Sequence, residues 1–106
     1  MDLADLMKQA KAVQEKAGAL QAQIAALEVE GISGGGLVRL TLSGKSELKA
    51  LSIDATLLKP EDREIVEDLV RAAHADAKAK LERRTAEEMQ KLAAQMGLPP
   101  GMLPGL

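Results

Sequence analysis

The sequence predicts an α+β protein in which a long helix, a three-stranded antiparallel sheet and a second long helix follow in the order α-β-β-β-α. Three observations carry that reading. Apolar residues recur at helical spacing before residue 28 and again after Pro60. Between them a run alternates with period two, Val38, Leu40 and Leu42 against Arg39, Thr41 and Ser43. Four of the nine glycines, Gly31 and Gly34-Gly35-Gly36, punctuate that middle stretch. Alternation bounded by Gly and Ser clusters is a strand-and-hairpin signature.

The first helix rests on Leu3, Leu6, Ala10, Val13, Ala17, Leu20, Ile24 and Leu27, spaced by threes and fours on one seam. Ala12, Ala19, Ala22 and Ala26 put small residues on other faces, so the C-terminal half is expected to be sandwiched between elements. Gly18 costs this helix about 1 kcal/mol relative to Ala, which so long an element tolerates. Strands are expected near Val29–Ile32, Leu37–Ser43 and Glu47–Asp54, with Gly44-Lys45-Ser46 turning the chain. Residues 55–59 form a connector. Pro60 suits the first position of the second helix, and Glu61, Asp62 and Glu64 sit where the helix dipole favours acids. The second seam runs through Ile65/Val66, Leu69/Val70, Ala73, Ala77, Leu81, Leu92 and Met96, and it weakens around Arg83–Glu88. Gly97 before Pro99-Pro100 is a stop signal. Residues 1–97 therefore read as one domain and 98–106 as a Gly/Pro-rich tail carrying Met102, Leu103 and Leu106.

The 106 residues are 46% hydrophobic and contain no Phe, Tyr or Trp. The core must be built from Leu, Ile, Val, Ala and Met, which bury less area each than aromatics and favour thin helical seams. The same lack removes the stacking platforms on which many single-strand binders rely. With no cysteine there is no disulfide, thiol catalysis or Cys-ligated metal, which fits a reducing cytoplasm. No segment approaches the roughly 20 apolar residues of a membrane span. The start, Met1-Asp2-Leu3-Ala4-Asp5, is acidic where an export signal would be basic.

Helix length bears on assembly. At about 1.5 Å per residue the two helices reach about 40 and 50 Å. A compact chain of this size spans only roughly 35 Å. Their seams stay wet unless a second subunit covers them, and a two-fold homodimer is the simplest remedy.

Residue patterns that could carry chemistry are sparse. Gly44-Lys45-Ser46 imitates the end of a phosphate-binding loop, but Arg39 stands where that motif, and the G-x-G-x-x-G motif begun by Gly34 and Gly36, requires Gly. Glycines needing positive φ in turns are the better account. His74 is alone, without Cys or a His four residues on, and makes a poor zinc site. No Ser or Thr is paired with a base. No catalytic residue, metal, cofactor or small-molecule substrate is expected.

Net charge is −2, so the basic excess common in nucleic-acid binders is absent. Its distribution says more. Residues 60–75 hold five acids and two bases, net −3, whereas 76–106 hold four acids and five bases, net +1. Lys78, Lys80, Arg83 and Arg84 cluster in the second helix, and Lys8, Lys11 and Lys16 form a trio in the first. Doubled by dimer symmetry, two such stripes could meet a phosphate backbone. Ordinary helix-surface charge explains them equally well.

The chain closely resembles the YbaB/EbfC family of bacterial nucleoid-associated proteins along nearly its whole length. The likeness rests on Leu6-Met7-Lys8-Gln9-Ala10, Leu27-Glu28-Val29 with Gly31, Ser33-Gly34, Gly36-Leu37-Val38, and Ile53-Asp54 with Leu57-Leu58. It continues in Glu67-Asp68-Leu69-Val70, Ala72-Ala73, Asp76-Ala77, Met89 and Gly97-Leu98-Pro99-Pro100-Gly101. The order and spacing of these pieces, rather than any one, are specific. The resemblance implies an intertwined homodimer joined through the sheet region, with helices projecting like tweezers. It also implies binding of double-stranded DNA that alters its conformation, a part in gene expression, and residence in the cytoplasm at the nucleoid. His74 and Ala75 stand where the family commonly has Phe and Asn. On this reading Lys8, Lys11, Lys16, Lys78, Lys80, Arg83 and Arg84 contact phosphates. The rival reading is a coiled-coil-like dimeric protein-interaction module that binds no DNA directly.

Overall fold

The computed structural model describes residues 2–97; the tail expected at 98–106 lies outside the described residues. Helix α1 spans Leu3–Ala25, strands β1, β2 and β3 span Glu28–Ser33, Val38–Ser43 and Leu48–Ile53, and helix α2 spans Arg63–Met96. Short 3₁₀ turns at Gly34–Gly36, Ala55–Leu57 and Pro60–Asp62 link them. Each predicted strand is present within a residue or two of its expected ends. Pro60 opens a 3₁₀ turn rather than α2 itself. Leu27 falls outside α1, because Ala26 and Leu27 close the helix by donating to the Ala22 and Ile24 carbonyls. The acidic start has a structural use: Asp2 caps α1, its Oδ1 accepting from the Asp5 N–H at 2.9 Å.

The sheet is an antiparallel meander in the order β1-β2-β3. Val29, Gly31 and Ser33 pair with Leu42, Leu40 and Val38, and Val38 and Leu40 pair with Ile53 and Leu51. These residues share one face. A bulge next to Thr41 brings Leu48, not Lys49, opposite Leu42, and so turns Leu48 onto that face.

Helix α2 lies across this face on β1 and β2, making at most marginal contact with β3. It can do so because Gly31 has no side chain. A Cβ there would be driven into the Ala73 carbonyl oxygen and to 2.7 Å from the Ala77 Cβ. The resulting core holds Val29, Val38, Leu40, Leu42, Leu57, Ala73, Ala77 and Leu81. Ser33 Oγ donates to the Leu69 carbonyl at 2.6 Å, pinning the first turns of α2 to the end of β1.

Beyond Leu81 the helix leaves the sheet and meets α1. Leu20, Leu92 and Ala93 are buried there, outside the sheet core. The weak stretch of the second seam at Arg83–Glu88 is thus the hand-over between two cores on one rod. The expected sandwiching of α1 is not found. Ala12, Ala19, Ala22 and Ala26 are exposed, since α2 covers only the Leu20 side. Gly97, at φ 70°, ends α2 in a left-handed cap.

The chain measures 71 × 21 × 16 Å, with a radius of gyration of 19.6 Å. A compact chain of this length would have about 13 Å. The helices overhang, as their lengths predicted.

The two outer edges of the sheet differ. On β1 the Ile32 N–H donates to Asp76 Oδ2 at 3.0 Å and the Glu30 carbonyl accepts from Lys80 Nζ at 2.9 Å. Asp76 and Lys80 also pair with each other at 2.9 Å, one turn apart on α2. Two free groups of an edge strand are therefore occupied by side chains, which blocks strand addition there. β3 lies at the opposite edge, with Leu48 and Leu51 55% and 46% exposed.

Gly31→Ala is expected to lower the unfolding free energy by about 3 kcal/mol in a urea titration, since packed backbone has nowhere to retreat. Gly18→Ala, into open space on α1, is expected to raise it by up to about 1 kcal/mol. Similar effects at the two sites would refute the close approach of α2 at Gly31. Asp76 supplies a pH test. Its Lys80 partner, then the Ile32 N–H, hold its carboxyl below the usual range. A carboxylate more acidic when folded contributes stability above its unfolded pKa and loses it as pH falls through the folded one. Acid unfolding measured below about pH 4 should therefore be less steep in Asp76→Asn, and an identical profile would remove Asp76 from the edge.

Candidate nucleic-acid interface

The seven basic residues singled out by sequence fall into four settings. Lys8 and Lys11 are exposed on the N-terminal half of α1, which extends past the end of α2 as an unaccompanied arm. Lys16 lies at the start of the paired region, in a groove of about 250 Å³ with Glu88 and Lys91. Lys80, Arg83 and Arg84 line a second groove, of about 470 Å³, between α2 and the outer edge of β1. Lys78 is exposed but lies apart from them. Two residues are about 200° round a helix, so Lys78 and Lys80 occupy nearly opposite flanks.

The grooves are of mixed sign. Glu28, Glu30 and Glu87 share the one lined by Lys80, Arg83 and Arg84. Lys80 is the most committed cation, its ammonium held by Asp76 and the Glu30 carbonyl. Arg83 and Arg84 are exposed and enter no ion pair among the described residues. The same is true of Lys8, Lys11, Lys16 and Lys78 within those limits. Elsewhere most bases are paired with acids, among them Arg39 with Glu30 at 3.0 Å, Arg63 with Glu67 at 3.2 Å and Arg71 with Asp68 at 3.1 Å, whereas Lys45 and Lys59 enter no ion pair among the described residues. Of the cations without a partner, Lys8, Lys11, Lys16, Arg83 and Arg84 lie on the helices beyond the sheet core, Lys78 on the part of α2 that roofs it, and Lys45 and Lys59 in connections beside it.

Sequence reasoning missed Lys91, which pairs with Glu88 in the same groove as Lys16. Its place on the α1 side of α2, three residues after Glu88, was readable from helical spacing. It also missed Asp76 as the residue that fixes Lys80; the i, i+4 spacing was visible, but the contact with β1 was not. His74 is exposed on α2. Among the described residues no group of three or more His, Cys, Asp or Glu could hold a metal ion, and no helix is long and apolar enough to cross a membrane.

The chain is similar in sequence and in fold to known proteins. A nucleoid-associated protein of Methylocella silvestris is 54% identical over 101 residues, covering 95% of this chain and 94% of that protein. One from Brucella anthropi is 55% identical over 100 residues, covering 94% of each. The nucleoid-associated protein RPA0616 of Rhodopseudomonas palustris is 48% identical over 101 residues, covering 95% of each. Among solved structures, the crystal structure of the uncharacterized protein HP0035 from Helicobacter pylori superposes with a TM-score of 0.68 at 28% identity, covering 91% of this chain and 97% of that one. The profile of the YbaB/EbfC DNA-binding family matches residues 1–96. With the helix-sheet-helix architecture in place, the chain belongs to the YbaB/EbfC DNA-binding family.

Proposed function

We propose that this protein is a nucleoid-associated protein of the cytoplasm that binds double-stranded DNA as a homodimer and alters its conformation. The observation that carries the reading is the concentration of unpaired cations on helices that overhang the sheet. Lys8 and Lys11 sit on the arm, Lys16 where the helices join, and Lys78, Arg83 and Arg84 along α2. Membership of a DNA-binding family and the names of the relatives support it.

The homodimer is argued from what one chain leaves bare. Asp76 and Lys80 occupy the β1 edge, so a second copy meets the sheet on the β3 side, where Leu48 and Leu51 are exposed. Covering them joins two sheet cores and leaves two pairs of helices standing away from the joint. Duplex DNA held between them meets cations from both protomers. In this arrangement Lys80 acts on the sheet edge, and the other six cations reach phosphates. Phosphate contacts carry no direct sequence information, so binding is largely tolerant of sequence and governed by counterion release.

A gel-shift titration of the purified protein on duplex DNA tests the reading. Affinity should fall at least about a hundredfold between roughly 50 and 200 mM salt. Arg83→Glu with Arg84→Glu, and separately Lys8→Glu with Lys11→Glu, should abolish the shift while the mass in light scattering stays unchanged. An affinity indifferent to salt would refute the phosphate contacts. Absence of any shift at moderate salt would favour the interaction-module reading, which the glutamates of the β1 groove also suit.

A further inference from the structure

The apolar seam of α1 is covered for only part of its length. Leu20 is buried and Ala17 and Val13 are half-buried where α2 lies alongside. The two helices run in opposite directions there, since α1 runs toward β1 while α2, past Leu81, leaves the sheet. Beyond the end of α2 the seam continues at the same spacing through Ala10, Leu6 and Leu3, with Met7 beside it. Leu3, Leu6 and Met7 are 72%, 50% and 64% exposed.

The charges beside the bare seam select what fits it. Asp2, Gln9 and Lys16 are seven residues apart and line one flank of the seam. Two helices packed antiparallel on such seams set like flanks against each other. With Leu6 of one arm opposite Ala10 of another, Leu3 falls opposite Val13 and Gln9 opposite Gln9. Asp2 then falls opposite Lys16 at both ends of the contact. A parallel pair in register would set Asp2 against Met7 and Lys16 against Gln21, with no acid facing a base. Asp2 caps α1 through one carboxylate oxygen, and neither it nor Lys16 enters an ion pair among the described residues. An arm laid antiparallel on α1 also runs in the direction of α2, so it takes up the seam where α2 leaves it.

We propose that the α1 arms of two copies of this chain pair antiparallel over Leu3–Val13, with an Asp2–Lys16 ion pair at each end. The contact is two-fold, the same surface serving on both copies. It extends for about 15 Å of helix and belongs to the small, weak class of interfaces, so it fills only well above micromolar concentration. The sheet-side contact proposed above is two-fold as well, and a chain that carries both joins pair to pair, tip to tip. Lys16 is common to the arm contact and to the phosphate contacts, and the two compete for it. The arm contact itself rests neither on DNA binding nor on the sheet-side contact.

The absence of native cysteine allows a direct test. Leu6→Cys and Ala10→Cys are made as separate full-length chains, mixed in equal amounts at high micromolar concentration without DNA, and held in a glutathione redox buffer. Disulfide-linked pairs are counted by mass spectrometry. In the proposed register position 6 faces position 10, whereas two copies of either position are offset by four residues, about 6 Å along the axis. A disulfide needs Cα atoms within about 7 Å, so the mixed product should exceed either same-variant product about fivefold or more, where chance gives about twofold. Lys16→Glu in both chains should lower the mixed product about threefold or more. Ala12→Glu, the same carboxylate at an exposed position on the far side of α1, should leave it unchanged. Circular dichroism checks that all variants are equally helical. Absence of any linked pair overturns the arm contact, and same-variant products in equal or greater yield overturn its register. Equal losses with Lys16→Glu and Ala12→Glu overturn the ion pair that sets it. No DNA is present, so each of these failures leaves the DNA-binding reading standing.

Discussion

A single helix is too narrow to roof three strands. With side chains it is about 10 Å across, while three strands spaced about 4.8 Å apart present a wider floor. Where the helix settles is decided at Gly31, the one inward position of β1 at which backbone can approach backbone. α2 therefore lies over β1 and β2, and Leu48 and Leu51 of β3 go uncovered, while Ile53 is partly buried against the core. The bulge near Thr41 enlarges that deficit by turning Leu48 to the same face. Asp76 and Lys80 close the other edge of the sheet. One side of the sheet is finished by its own helix, and at the other Leu48 and Leu51 stay exposed.

The same helix has a second task. Its first half roofs the sheet with Ala73, Ala77 and Leu81, and its last turns pack Leu92 and Ala93 beside the Leu20 side of α1. One unbroken 34-residue rod thus carries two separate cores. Between them the seam is polar, and there Arg83 and Arg84 are exposed. Small residues where the backbones meet keep the contact thin, so no aromatic is needed. Six of the cations that lack acidic partners, Lys8, Lys11, Lys16, Lys78, Arg83 and Arg84, lie exposed on these two rods.

Much of this architecture was legible because each element carries its own period. Val38, Leu40 and Leu42 against Arg39, Thr41 and Ser43 marked the central strand, and Gly97 before Pro99-Pro100 marked the end of α2. The overhang followed from helix length alone. What failed was tertiary. The alanines of α1 suggest packing surfaces on several faces, yet Ala12, Ala19, Ala22 and Ala26 stay exposed; alanine favours helix whether or not it is buried. The bulge that reorients Leu48 leaves no mark in the alternation, and the i, i+4 spacing of Asp76 and Lys80 carries no sign of the β1 edge that both also hold. Of the basic residues, Lys78 and Lys80 cluster by proximity in sequence. Helical geometry puts them on nearly opposite flanks, and only the fold shows which flank lies against the sheet.

Light scattering of the wild-type chain and of Leu51→Asp, at micromolar concentration, bears most directly on the claim that one molecule leaves its sheet unfinished. The wild-type mass should be twice the 11.2 kDa of a single chain, and Leu51→Asp should return it to one chain while keeping its helical circular dichroism. A wild-type chain that scatters as 11.2 kDa, or a Leu51→Asp variant that still pairs, would contradict the account.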